Sequence, residues 1–342
     1  MSLELLALAV VILGLIAYTV FGGADFGGGV WTALASGPRA HQQQEAIFLA
    51  MGPVWETNHI WLILVVVTLF TAFPTAFALL FTVLLVPLVV ALVGIVFRGA
   101  AFAFRHFGQE TETSLPATGL VFSAASLLTP MALGVALGST AAGGIGSGLE
   151  DLRESLWRPY FQPFPLMCGL IGVTVCGFLT ACFMTTRTRG VLQEDFRRRG
   201  LVSAIALGLV TTAALPVAWQ DAPAFWNELV KPDAVAAISS ASIMGIATLA
   251  VLWRRWYALA PPAAAVTAAM IILGWGLAQY PYFLLPVLTV NEVSAPEGVL
   301  GIFLISLAVG SLILAPSLWL LYRTFTTSEV EMEGDLRDDL WR

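Results

Sequence analysis

The sequence predicts an all-α polytopic membrane protein of about nine transmembrane helices, and three observations lead there. Hydrophobic residues make up 58% of the chain against 11% charged, with a mean hydropathy of +0.86, a balance that water-soluble domains do not have. Nine apolar windows are each long enough to cross a hydrocarbon layer about 30 Å thick, which takes roughly 20 helical residues. Arginines collect in alternate loops, as they do when basic residues stay on the cytoplasmic side.

The first window, residues 3–29, opens on MSLELLALAV, without the basic region and small-residue cleavage site of a signal peptide, and its apolar run continues past Phe21. It is expected to stay as the first span. The second and third, 48–73 and 75–103, are separated only at Phe73-Pro74, where a proline ends one helix and starts the next. Six more follow at 115–138, 162–185, 200–219, 234–253, 258–280 and 299–322. The connections 139–161, 220–233 and 281–298 hold glycine, proline and acids, as short solvated loops do.

Orientation tests this count. The odd-numbered loops and the C-terminal tail carry Arg39, Arg105, Arg187, Arg189, Arg197 to Arg199, Arg254, Arg255, Arg323, Arg337 and Arg342, whereas the even-numbered loops carry only Arg153, Arg158 and Lys231. Nine spans with the N-terminus outside and the C-terminus cytoplasmic satisfy that bias. No linker divides the chain, which reads as one domain, 1–342, with halves of about 1–140 and 141–325 meeting where AAGGIGSGLED loosens it, and a short acidic cytoplasmic tail, 326–342.

Composition also removes function classes. The net charge of -6 comes from acids in loops and tail, and a single lysine, Lys231, leaves no nucleic-acid footprint. Cys168, Cys176 and Cys182 lack the close paired spacing of a zinc or iron–sulfur site and read as small buried hydrophobes. The histidines are His41, His59 and His106, two of them in loops, too few embedded imidazoles for a chain that holds a set of haems by itself.

Chemistry concentrates in GPVWETNHIW, Gly52 to Trp61, directly ahead of an apolar run. A carboxylate at the edge of a span costs a few kcal/mol, so Glu56 implies a partner, a water file or a job. The simpler alternative places Glu56 and His59 at headgroup level, with Trp55 and Trp61 as interfacial anchors. Asp25, in GGADFGGG, is a second embedded acid. Gly23 and Gly27 have the small-xxx-small spacing that lets helices approach closely, so Asp25 either caps a helix break on a packing face or meets a partner across it. Arg98, in VGIVFRGAAFAF, is either snorkelling or paired to one of these acids. Glu56, Asp25 and Arg98 all fall near inner ends of the first three spans, which makes one buried polar network and a proton pathway geometrically feasible. Trp55, with Asn58 and Trp61, is a weaker candidate for contact with a quinone or lipid.

GPVWETNHIW followed by LFTAFP resembles subunit II of the cytochrome bd family of terminal quinol oxidases, and GGADFGGGVW (22–31) and GWGLAQYPYFLLP (274–286) resemble two further elements of that family in the same order. The sequence departs from the pattern in having Glu56 and Thr57 where Asp and Gly are usual. The resemblance implies two four-helix groups with one extra helix, a place in the bacterial cytoplasmic (inner) membrane beside a haem-bearing subunit I, and small single-span accessory subunits. It implies haems b and d in the partner and none bound by this chain alone, with quinol as substrate, oxygen reduced to water and a bound quinone as a further ligand. It also implies that the second-span acid helps conduct protons inward. Without the resemblance, the rivals are a secondary transporter with midplane acids, which should show duplicated broken helices, and a scaffold in which acids merely pair with arginine.

Overall fold

The computed structural model describes residues 2–51, 55–110, 116–143 and 158–340, with backbone alone for Trp55 and for residues 106–110, 116–117, 158 and 321–340. Helix α1 (Leu3–Ala17) passes through one π-helical turn, Tyr18–Gly22, into α2 (Gly23–Ala33), giving a single apolar rod over residues 3–33. The window at 48–73 is not one helix. It is a pair, α3 (Ala40–Met51) and α4 (Trp55–Ala72), bent by 57°. The front of α3, AHQQQE, is too polar for hydrocarbon, which fits a helix turned away from the span direction.

Phe73, at φ -138° and ψ 58°, is outside helical geometry, and Pro74 opens α5 (Pro74–Val83) in the first turn, where its missing N–H is not needed. The expected break at Pro74 is therefore present. A second break was not expected: Leu84, at φ -103° and ψ 16°, separates α5 from α6 (Leu85–Glu110), so the window 75–103 holds two helices. Pro87 falls in the first turn of α6, which tolerates it and favours a restart there.

Further along run α7 (Pro116–Ala142), α8 (Pro163–Arg187), α9 (Gly190–Asp221), a short α10 (Pro223–Leu229), α11 (Pro232–Trp253) and α12 (Ala260–Gln279). A small antiparallel pair, β1 (Tyr282–Leu284) with β2 (Leu288–Thr289), and α13 (Val290–Val293) shape the segment around Pro281 and Pro286, and α14 (Glu297–Leu340) follows. Among the described residues, eight helices are long and apolar enough to span a membrane, nine if the bent pair is counted as one span. The first group, α1 to α7, joins the second, α8 to α12, through α8, which packs on α2, α7, α9 and α12, while α14 lies at the edge against α1 and α4.

Glycine sets the closest of these approaches. A Cβ at Gly27 would sit 2.0 Å from the Cys176 carbonyl oxygen of α8, and one at Gly29 would sit 2.1 Å from Ser126 Cβ of α7. Gly23 faces α8 as well, against Leu179 and Cys176, so the Gly23–Gly27 spacing marks a true packing face. Gly27→Ala is expected to force α2 off α8 and to destabilise by at least the roughly 1–3 kcal/mol typical of overpacking. Gly208→Ala, with nothing within 4 Å, is the control and should be neutral or better. Thermal denaturation of the two variants in detergent separates them.

Candidate functional site

Asp25 lies in the first turn of α2 with 6% of its surface exposed, and Arg98 of α6 is 1% exposed. They form an ion pair, Arg98 Nη2 to Asp25 Oδ1 at 3.0 Å, and the same nitrogen donates to the Asp25 backbone oxygen at 3.2 Å. The guanidinium carbon sits 4.9 Å from the centre of the Phe26 ring and 5.3 Å from that of Phe122, so two aromatic faces take up charge that water does not reach. This geometry decides between the readings open in the sequence. Arg98 is paired and does not snorkel, and Asp25 meets its partner from α6 and not from α8, the helix on which Gly23 and Gly27 pack.

Among the described residues, Arg98 Nε, Ser126 Oγ and Asn58 Oδ1, all of them buried, have no hydrogen-bond partner. Ser126 stands one helical turn beyond Phe122 and against Gly29. Buried polar atoms of this kind are the usual seats of ordered water. On α4, His59 Nδ1 lies 3.5 Å from the Tyr18 hydroxyl, whose residue begins the π-helical turn, and the His59 ring lies 6.3 Å from that of Phe26. Trp61 is half-buried and stacks on Phe21 at 6.2 Å.

Glu56 does not join the pair. Its side chain is exposed, and no hydrogen bond or ion pair ties it to other described residues. Asn58, two residues on, faces inward at 6% exposure with Val65 and Leu69 about two and three turns later, and two residues of helix are about 200° of rotation. The acid therefore points away from the core of its own chain. The Trp55 side chain lies outside the described residues. An apolar cavity of about 790 Å³ opens between the first helix and the second group, lined by Tyr18, Phe26, Leu62, Cys168 and Trp275 among others, and neither Asn58 nor Trp61 borders it.

On the face where the loop arginines collect, Arg39 donates to Asp195 through Nε and Nη2 at 2.8 and 2.7 Å. Gln43 donates to the same carboxylate and accepts from Arg199 at 2.6 Å, and Arg199 stacks 5.0 Å from the Trp31 ring. The Asp195 carboxylate raises the Arg39 guanidinium above its ordinary range. This clasp ties the end of α2 and the start of α3 to the start of α9. Among the described residues no cluster of His, Cys, Asp and Glu could hold a metal ion, and all three cysteines are free thiols.

Fold and site together define a helical, polytopic membrane protein with a desolvated carboxylate–guanidinium pair at its centre. The sequence model described as "Cytochrome bd terminal oxidase subunit II" matches residues 3–325, and the chain belongs to that family. Cytochrome bd-I ubiquinol oxidase subunit 2 of Escherichia coli (strain K12) is 27% identical over 208 residues, 60% of this chain and 54% of the relative. Cytochrome bd ubiquinol oxidase subunit 2 of Bacillus subtilis (strain 168) is 25% identical over 215 residues, 62% of each chain. The chain thus spans about half to three-fifths of the relatives' lengths in these matches. A chain of the bd oxidase from Geobacillus thermodenitrificans superposes with a TM-score of 0.80 at 25% identity, covering 95% of this chain and 99% of that one.

Proposed function

We propose that this chain is the partner subunit of a bd-type quinol oxidase in a bacterial cytoplasmic membrane, where it supports a haem-bearing subunit I and admits protons to the oxygen-reduction site. The observation that carries the reading is the buried Asp25–Arg98 pair, whose Arg98 Nε has no hydrogen-bond partner among the described residues. A proton route needs titratable or hydrogen-bonding groups in a site that bulk water does not flood, and a carboxylate there must be held by a counter-charge. Glu56 supplies a second acid on the outside of the same helix group. An exposed carboxylate on a membrane helix is expensive against lipid, so it is best placed where a neighbouring subunit covers it. Protons then pass between the Asp25 region and the partner by way of Glu56, with His59 of α4 and Tyr18 of the π-helical turn, 3.5 Å apart, as further polar groups.

In this assignment haems b and d are ligated by the partner, quinol is oxidised there, and oxygen is reduced to water. The N-terminus is outside and the C-terminal tail cytoplasmic. Expressed alone, the chain should bind no haem stoichiometrically, whereas the co-purified complex should show haem bands in its optical spectrum. A stoichiometric haem spectrum from the isolated chain, lost on His59→Ala, overturns the division of labour. Reporter fusions after Arg199 and after Arg323 should both read cytoplasmic, and opposite results would refute the orientation.

A further inference from the structure

Where α11 turns toward α12, three guanidinium groups gather around one carboxylate. Arg197 pairs with Glu194 at 2.7 Å, and Arg198 and Arg255 reach the same carboxylate at 3.5 and 3.6 Å. Arg254 adds a fourth, 5.2 Å from the centre of the Trp256 ring, with no ion pair among the described residues. One acid cannot neutralise four cations, and the patch stays open to its surroundings: the Arg198 and Arg255 side chains are 73% and 64% exposed.

Two further features separate this patch from an ordinary basic loop. Arg255 has φ 59°, the left-handed region where a helix usually ends on glycine, so an arginine is kept at a place that disfavours any side chain. Trp253 and Trp256 are 76% and 52% exposed at the end of an apolar helix of 22 residues, the depth at which hydrocarbon gives way to headgroups. Below them, Ile243, Ile246, Ala250 and Trp253 form one exposed stripe of α11 that runs into the cations.

We propose that this corner of the inner face is a binding site for an anionic phospholipid. Its phosphodiester would lie between Arg254, Arg255 and Arg198, and an acyl chain would run along the Trp253–Ile246–Ile243 stripe. Charge selects an anion, and the apolar track leading directly to it selects a lipid over a soluble phosphate. No ion pair or hydrogen bond among the described residues links Arg198, Arg254 or Arg255 to Asp25, Arg98 or Glu56, and the proposal stands without the proton route.

The test uses the protein purified in mild detergent and stripped of lipid, titrated separately with phosphatidylglycerol, phosphatidylcholine and sn-glycerol 3-phosphate and read by native mass spectrometry. Phosphatidylglycerol should bind at least about tenfold more tightly than phosphatidylcholine, and glycerol 3-phosphate should not bind. Each guanidinium removed should weaken phosphatidylglycerol about fivefold, the factor that corresponds to roughly 1 kcal/mol per basic residue at an anionic surface. Arg254→Gln isolates that effect, because Arg254 holds no ion pair on which the fold depends, and Arg254→Gln/Arg255→Gln should compound it. Trp253→Ala should weaken the lipid with every charge retained. Equal binding of the two lipids overturns the site, as does wild-type affinity in Arg254→Gln/Arg255→Gln. Glycerol 3-phosphate binding as tightly as phosphatidylglycerol makes it a soluble-anion site, and cross-links from Trp253→Cys to another protein chain make it a protein interface; either refutes the proposal.

Discussion

Arg98→Gln is expected to abolish assembly of the protein. The substitution leaves the Asp25 carboxylate with 6% exposure and no counter-charge, and breaking a buried pair from one side costs on the order of 3–5 kcal/mol, a large fraction of a typical total stability. Asp25→Asn alone leaves the Arg98 guanidinium buried between Phe26 and Phe122 and should be damaging as well. Removing both charges is different, since Asp25→Asn/Arg98→Gln leaves two neutral groups able to hydrogen-bond each other. The double variant should therefore recover most of the assembled complex, measured as haem-containing material after size exclusion, while oxygen consumption stays low. Full turnover in the recovered double variant would leave the pair a structural role and no other.

Glu56→Gln is expected to do the reverse, sparing assembly and lowering quinol-dependent oxygen consumption by one or more orders of magnitude, within the range of about 10²–10⁴ that positioned proton-transfer groups contribute. Nothing in the fold of this chain leans on Glu56, which is exposed and makes no ion pair with other described residues. Gln keeps the size and hydrogen bonding of the side chain but cannot relay a proton, so a large loss of rate in a normally assembled complex points to chemistry. Glu56→Asp keeps the titratable group and should be tolerated better. A scaffold role predicts that Gln is nearly silent.

Much of this architecture is legible in the sequence because a membrane leaves few choices: a span must be apolar for about 20 residues, and its backbone must bond internally. Pro74 marks a break for the covalent reason that it lacks an N–H and disfavours a helical residue before it. The break at Leu84 has no such mark, since leucine is a good helix former, and the π-helical turn at Tyr18–Gly22 is likewise set by packing and not by residue type. The bent pair at 40–72 is hidden from a hydropathy reading because Ile47 to Met51 extends the apolar run across a change of direction.

At the site, charge offers Asp25 and Glu56 as partners for Arg98, because an ion is not buried singly, but the choice between them is not legible in the sequence. Glu56 is placed in the same network by depth but not by helix phase, and the inward face of α4 becomes clear only once Asn58, Val65 and Leu69 are seen to be buried together. Ser126 and Tyr18 escape sequence reasoning altogether. A serine in the run FSAAS and a tyrosine in an apolar span carry no signal until Gly29 and His59 are found against them.

The central claim, that protons from the cytoplasm pass by way of Glu56, is tested most directly in proteoliposomes. Side-specific proton uptake would be followed with a trapped pH indicator during oxygen pulses, for wild type, Glu56→Asp and Glu56→Gln at matched haem content. The account predicts that uptake from the cytoplasmic side slows in step with oxygen consumption in Glu56→Gln and is largely kept in Glu56→Asp. Wild-type uptake and turnover in a fully assembled Glu56→Gln complex would contradict it.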